Sequence, residues 1–140
     1  MVVKYLRDQR HVGVVEEIAK AKFPYPNEEY PDLETILNEP KPRISVGQEN
    51  GQDLYPDIVV VRRPGAWLKM MAEVETADTV NEESAVNQWL PFSKCGDLYL
   101  YVPFGCADEA RRLLKKHKIR IKGLRLWRFR PVWGLDVAEA

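Results

Sequence analysis

No stretch of this 140-residue chain approaches the roughly 18 to 20 continuous apolar residues that span a bilayer. The opening residues, MVVKYLRDQR, lack the apolar centre of a signal peptide. The chain is therefore expected to be cytoplasmic, with no membrane partner. Cysteine is scarce: Cys95 and Cys106 are the two, and with no C-x-x-C spacing or histidine partner they read as reduced thiols, not as a disulfide or a zinc site. Histidine is equally scarce, and His11 and His117 lack ligand-like spacing to one another, so both are expected at the surface. Net charge is missing altogether, 21 Lys and Arg balancing 21 Asp and Glu, so the molecule as a whole has no strong pull on nucleic acid. There is no internal repeat and no low-complexity segment; the length suits one domain over residues 1–140.

What is present is an ordinary composition for a packed core, with 45% hydrophobic and 30% charged residues. The charges are unevenly spread. Residues 111–130 hold ten Lys or Arg and no Asp or Glu. Such a basic region beside an acidic remainder suits either phosphate contact at one face or a solvated helix and edge strand.

Along the chain, Val12, Val15, Ile18 and Ala19 recur at helical spacing within 4–22, ahead of a surface excursion over 23–42 marked by Pro24, Pro26, Pro31, Pro40 and Pro42. Within it, Leu33 to Leu37 reads as a short turn of helix. Arg43 to Gly47 reads as a short strand before a tight Asn50-Gly51 turn. The β-branched run Asp57 to Arg63, the break at Pro64-Gly65 and the extended run Trp67 to Glu75 predict a central hairpin. Thr79-Val80-Asn81-Glu82 fits a capping box for a helix that Pro91 kinks or ends. A strand over 97–103, a helix over 107–118 and a closing strand over 119–129 complete the order. Strands joined through helices require right-handed crossovers, so an α/β fold with a mixed sheet follows.

If the hairpin reverses around Pro64-Gly65, cross-strand partners sum to about 129 or 130, and Asp57 faces Ala72 or Glu73. Side chains alternate along a strand, so Glu73 and Glu75 share one face and Val74 points into apolar packing. Three carboxylates held this close repel, and a fold rarely tolerates that unless a cation neutralises them. Mg²⁺ or Mn²⁺ prefers carboxylate oxygens and bridges them to phosphates, which points to phosphodiester chemistry; the alternative is acids on the solvated face of an edge hairpin.

Pro56-Asp57, an apolar hairpin and Glu73-Val74-Glu75 together resemble the PD-(D/E)xK superfamily of restriction-endonuclease-like nucleases. Gln88-Trp89-Leu90-Pro91-Phe92 resembles the Q-x-x-x-Y motif of its exonuclease-type members, with Phe92 in the tyrosine position. The resemblance implies an αβββαβ core with helices flanking a mixed sheet, and a metal-dependent nuclease hydrolysing DNA. Asp57, Glu73 and Glu75 are the implied metal and catalytic residues, the Val74 carbonyl is a further ligand, and Gln88 contacts the site or a phosphate. The departure is Glu75, where the family pattern places Lys; Lys69 lies about 13 Å along the strand, too far to substitute. This departure and the zero net charge support the second expectation, an inactive nuclease-fold module that binds nucleic acid or protein. Some members of that superfamily supply a further acid from the first helix; Glu16 is better placed for this than Glu17, but an ordinary surface pair is the favoured reading. Trp67, Trp89, Trp127, Trp133, Tyr99 and Tyr101 are expected in the core or in packing between two copies of a homodimer.

Overall fold

The computed structural model describes residues 2–130 and 132–140, with side chains from His11 onward. Helix α1 (Val2–Lys22) leads into a loop and then strand β1 (Leu33–Leu37). A small hairpin of β2 (Gly47–Glu49) and β3 (Gln52–Leu54) turns at Asn50-Gly51, where both residues take positive φ (53° and 79°), the left-handed conformation that Asn and Gly tolerate. The larger hairpin follows as β4 (Ile58–Arg62) and β5 (Trp67–Val74). A helical run then comprises α2 (Glu82–Ser84), a π-helical turn (Ala85–Trp89) and α3 (Leu90–Cys95). After it come β6 (Leu98–Pro103), α4 (Ala107–Lys116), β7 (Gly123–Arg130) and β8 (Gly134–Glu139).

The six-stranded sheet has the order β1-β4-β5-β6-β7-β8. It is mixed, as expected: β5, β6 and β7 run parallel, each crossover made by a helix, and the outer pairs are antiparallel. Each face has its own core. Val14, Val15 and Ile18 of α1 pack on Ile58, Val60, Ala72, Val74 and Tyr101. On the other face Trp89, Phe92, Ala110 and Leu113 from the later helices cover Met71, Leu98, Leu100 and Val102. No helix among the described residues is long and apolar enough to cross a membrane.

Several expectations are corrected. Leu33–Leu37 is a strand, not a turn of helix, because it pairs along the whole of β4 from Leu33↔Arg62 to Leu37↔Ile58, and that pairing overrides the helical preference of its leucines. The strand expected at Arg43 to Gly47 begins only at Gly47. Asn81, not Thr79, caps α2, its side chain accepting from the Ser84 amide; the capping box closes one turn earlier, between Thr76 and Thr79. Pro91 does not end the helix. The preceding turn widens to i→i+5, with the Leu90 amide bonded to the Ala85 carbonyl, and the run continues to Cys95. The closing strand starts at Gly123, and sequence reading missed β8, which carries Asp136 and Glu139 opposite arginines of β7. Of the aromatics, Trp89, Tyr101 and Trp127 are buried, but Trp67 and Trp133 stand 75% and 80% exposed.

Candidate metal and phosphodiester site

The β4–β5 hairpin keeps the expected register. Ile58 faces Ala72, so the next pair outward is Asp57 and Glu73. A reciprocal lock holds that end: the Asp57 amide donates to Glu73 Oε1 at 2.9 Å, and the Val74 amide donates to Asp57 Oδ2 at 2.8 Å. Beyond the strand, Glu75 continues the parallel alignment, its amide donating to the Tyr101 carbonyl at 2.8 Å and its carbonyl accepting from Trp127 Nε1 at 3.0 Å. The backbone thus fixes three carboxylates at the C-terminal end of β5.

All three are buried, at 5% exposure for Asp57 and Glu73 and 2% for Glu75. Burial, then the charges of Asp57 and Glu75, pushes the Glu73 pKa well above the ordinary 4.5. Burial likewise raises Glu75 to about 7, with Asp57 adding to the rise and Thr79, Trp89 and His11 opposing it. The Trp89 indole N–H that opposes it lies outside hydrogen-bond geometry: Trp89 Nε1 is fully buried and finds no partner. It faces the Glu75 carboxylate as a donor left without a bond.

These groups line a cleft of about 360 Å³, together with Gln88 from the π-helical turn, Glu39, Thr76, Asp78 and Thr79. Asp57, Glu73, Glu75 and Gln88, the residues singled out in the sequence, therefore meet at one place. Glu16 and Glu17 do not join them; both are exposed and line separate grooves. Lys69 and Lys94 are exposed and lie outside the cleft, and among the described residues no Lys or Arg lines it.

His11 corrects the expectation of a surface histidine. Its Nε2 lies 2.9 Å from the Val74 carbonyl and 3.3 Å from Asp57 Oδ2, and its Nδ1 lies 3.9 Å from Glu39 Oε1. Burial would lower its pKa, but the hydrogen bond and charge of Asp57, the Val74 carbonyl and Glu39 together raise it to about 9. The signal was present in the helical phase: the face that buries Val14, Val15 and Ile18 carries His11 one turn earlier. His117 pairs instead with Glu82 at 2.6 Å, and neither residue lines the cleft.

No protein-family model, no curated protein and no solved structure matches this chain.

Proposed function

We propose that this chain is a metal-dependent phosphodiester hydrolase of the PD-(D/E)xK type, acting on DNA. The observation that carries the reading is the convergence of Asp57, Glu73 and Glu75, all buried, in one cleft that also presents Gln88. Three carboxylates, with no Lys or Arg among the described residues that line the cleft, are the donor set of a hard divalent ion, and the raised pKa values of Glu73 and Glu75 register first their burial and then the mutual repulsion that such an ion relieves. Further support is the element order. With the β2–β3 hairpin set aside as an insertion, α1, β1, β4, β5, α2–α3 and β6 run in the αβββαβ sequence of the restriction-endonuclease-like core.

Asp57 and Glu73, held by the Val74 and Asp57 amides respectively, would hold Mg²⁺ or Mn²⁺, with Glu75 at its edge. A bound ion supplies charge for the phosphate and a lowered pKa for water. Glu75, the acid just beyond the Asp57–Glu73 pair, would accept a proton from the attacking water. The Gln88 amide is placed to donate to a phosphate oxygen.

The test is thermal unfolding with and without millimolar Mn²⁺, run beside cleavage of a DNA substrate. The wild type should be stabilised, and Asp57→Asn should lose both the shift and the cleavage. An unchanged midpoint would sink the metal site. A metal-dependent shift without cleavage, unaltered by Glu75→Ala, would favour the inactive nuclease-fold module.

A further inference from the structure

The cleft presents two donor sets that share Asp57. One is all oxygen, from Asp57, Glu73 and Glu75. The other mixes nitrogen and oxygen: one ligand atom each from His11, Glu39 and Asp57 lies within 4.8 Å of the other two. Three separate elements bring these residues together, α1 carrying His11, the turn after β1 carrying Glu39, and the entry to β4 carrying Asp57.

The imidazole is oriented as a ligand requires. Nε2 is shared between the Val74 carbonyl at 2.9 Å and Asp57 Oδ2 at 3.3 Å, and Nδ1 lies 3.9 Å from Glu39 Oε1, so the ring stands between the two carboxylates and would take an ion through a deprotonated Nδ1 while Nε2–H keeps the Val74 carbonyl. A ring that donates its other N–H to a backbone carbonyl is the usual support of a metal-bound histidine. The spacing also suits an ion. Bonds of about 2.1 Å put tetrahedral donors ~3.4 Å apart, so the 3.9 Å between Nδ1 and Glu39 Oε1 needs only a small contraction. Glu39 is steadied in turn by its neighbour Asn38, which is buried and bonded to the Pro56 carbonyl at 2.7 Å, beside Asp57.

We infer that His11, Glu39 and Asp57 form a nitrogen-containing metal subsite that takes a borderline divalent ion, Mn²⁺, Co²⁺ or Zn²⁺, in preference to Mg²⁺. Imidazole suits these ions, whereas Mg²⁺ keeps to oxygen ligands and its own waters. The inference rests on the metal reading above but concerns different ligands, so the two fail separately.

The experiment titrates the full chain with Mn²⁺ and with Mg²⁺ by calorimetry and records the pulsed electron paramagnetic resonance of the Mn²⁺ form for coupling to a ring nitrogen. Wild type should show that coupling and bind Mn²⁺ more tightly than Mg²⁺. His11→Gln should abolish the coupling and, like Glu39→Gln, weaken Mn²⁺ by about tenfold or more, the least expected for a lost ligand. Mg²⁺ affinity should stay within about threefold, since the oxygen set remains. Glu39 is partly exposed, with 32% of its side-chain surface accessible, so its variant keeps the test valid if the histidine variant fails to fold. Mn²⁺ binding without nitrogen coupling, indifferent to both variants, would overturn the subsite and leave the carboxylate site standing. Binding of neither ion would overturn both.

Discussion

Glu75 and His11 titrate in the same direction, and together they decide how stability of the metal-free protein responds to pH. Glu75 has a folded pKa of about 7 against an ordinary 4.5, so its contribution is complete below 4.5 and is lost as pH rises through 7. His11, raised from 6.5 to about 9, contributes fully below 6.5 and loses that contribution as pH rises through 9. Glu73, raised for the same reason of burial, adds to the loss. In EDTA the unfolding midpoint is therefore expected to fall steadily from pH 5 to pH 9, a change on the order of a few kcal/mol. Glu75→Gln should flatten the part between pH 4.5 and 7, because the amide has nothing to ionise. A divalent ion binds the deprotonated groups, so the Mn²⁺ shift should grow across the same range. A midpoint that rises from pH 5 to 9 without metal would contradict these assignments. The Glu75→Lys replacement puts the cation usual in PD-(D/E)xK nucleases where Glu75 now lies, 2% exposed. It should weaken Mn²⁺ binding by repulsion, and a rise in cleavage would mean that Glu75 itself is not a working ligand.

At the scale of elements, the site depends on a turn that Asn38 anchors. Its Oδ1 accepts from the Arg43 and Ile44 amides at 2.8 and 2.9 Å, and its Nδ2 donates to the Ile44 and Pro56 carbonyls at 2.9 and 2.7 Å. Asn38→Ala is expected to cost roughly 3 kcal/mol in urea unfolding, because it strands several buried backbone groups. Asn38→Asp, which keeps the acceptor half, should cost less; equal costs would show that the donors dominate. The β4–β5 hairpin and its acids were legible in the sequence because period-two alternation and the Pro64-Gly65 break set its register within one strand pair. β1 and β8 were not, since each owes its conformation to a neighbour: β1 to the β-branched edge of β4, β8 to pairing such as Arg128 with Asp136 at 3.0 Å. Asn38, Glu39 and His11 were missed for a related reason. They reach Asp57 from distant positions, and only the burial phase of α1 pointed to any of them. The π-helical turn arises where Pro91 cannot supply the next amide, and it leaves Gln88 at the cleft.

Across the whole molecule, the basic window is spent largely on the protein itself. Arg111 pairs with Asp108, Arg112 with Glu109, Lys116 with Glu82, Arg125 with Glu139, and Arg128 and Arg130 with Asp136. Arg120 and Lys122 are not in such pairs among the described residues, but they sit with Lys94 beside Leu98, where β6 begins. The acids stand beside Tyr101, near the end of that strand. Among the described residues, Arg120 and Lys122 thus lie at the start of β6, at the other end of that strand from the acids, and within the cleft His11 and a bound ion would provide positive charge. Oligonucleotide affinity is expected to be weak in EDTA and to rise on adding Mn²⁺, with a shallow salt dependence, since each neutralised phosphate adds only about −0.9 to the slope. Replacing Arg120 and Lys122 by Gln should leave the Mn²⁺-dependent increment intact, and Asp57→Asn should remove it. Fluorescence anisotropy across a salt series separates the two sources of charge. Tight binding in EDTA with a steep slope that disappears in the Arg120→Gln, Lys122→Gln protein would put nucleic acid at the opposite end of the sheet, where the carboxylates cannot reach a scissile phosphate.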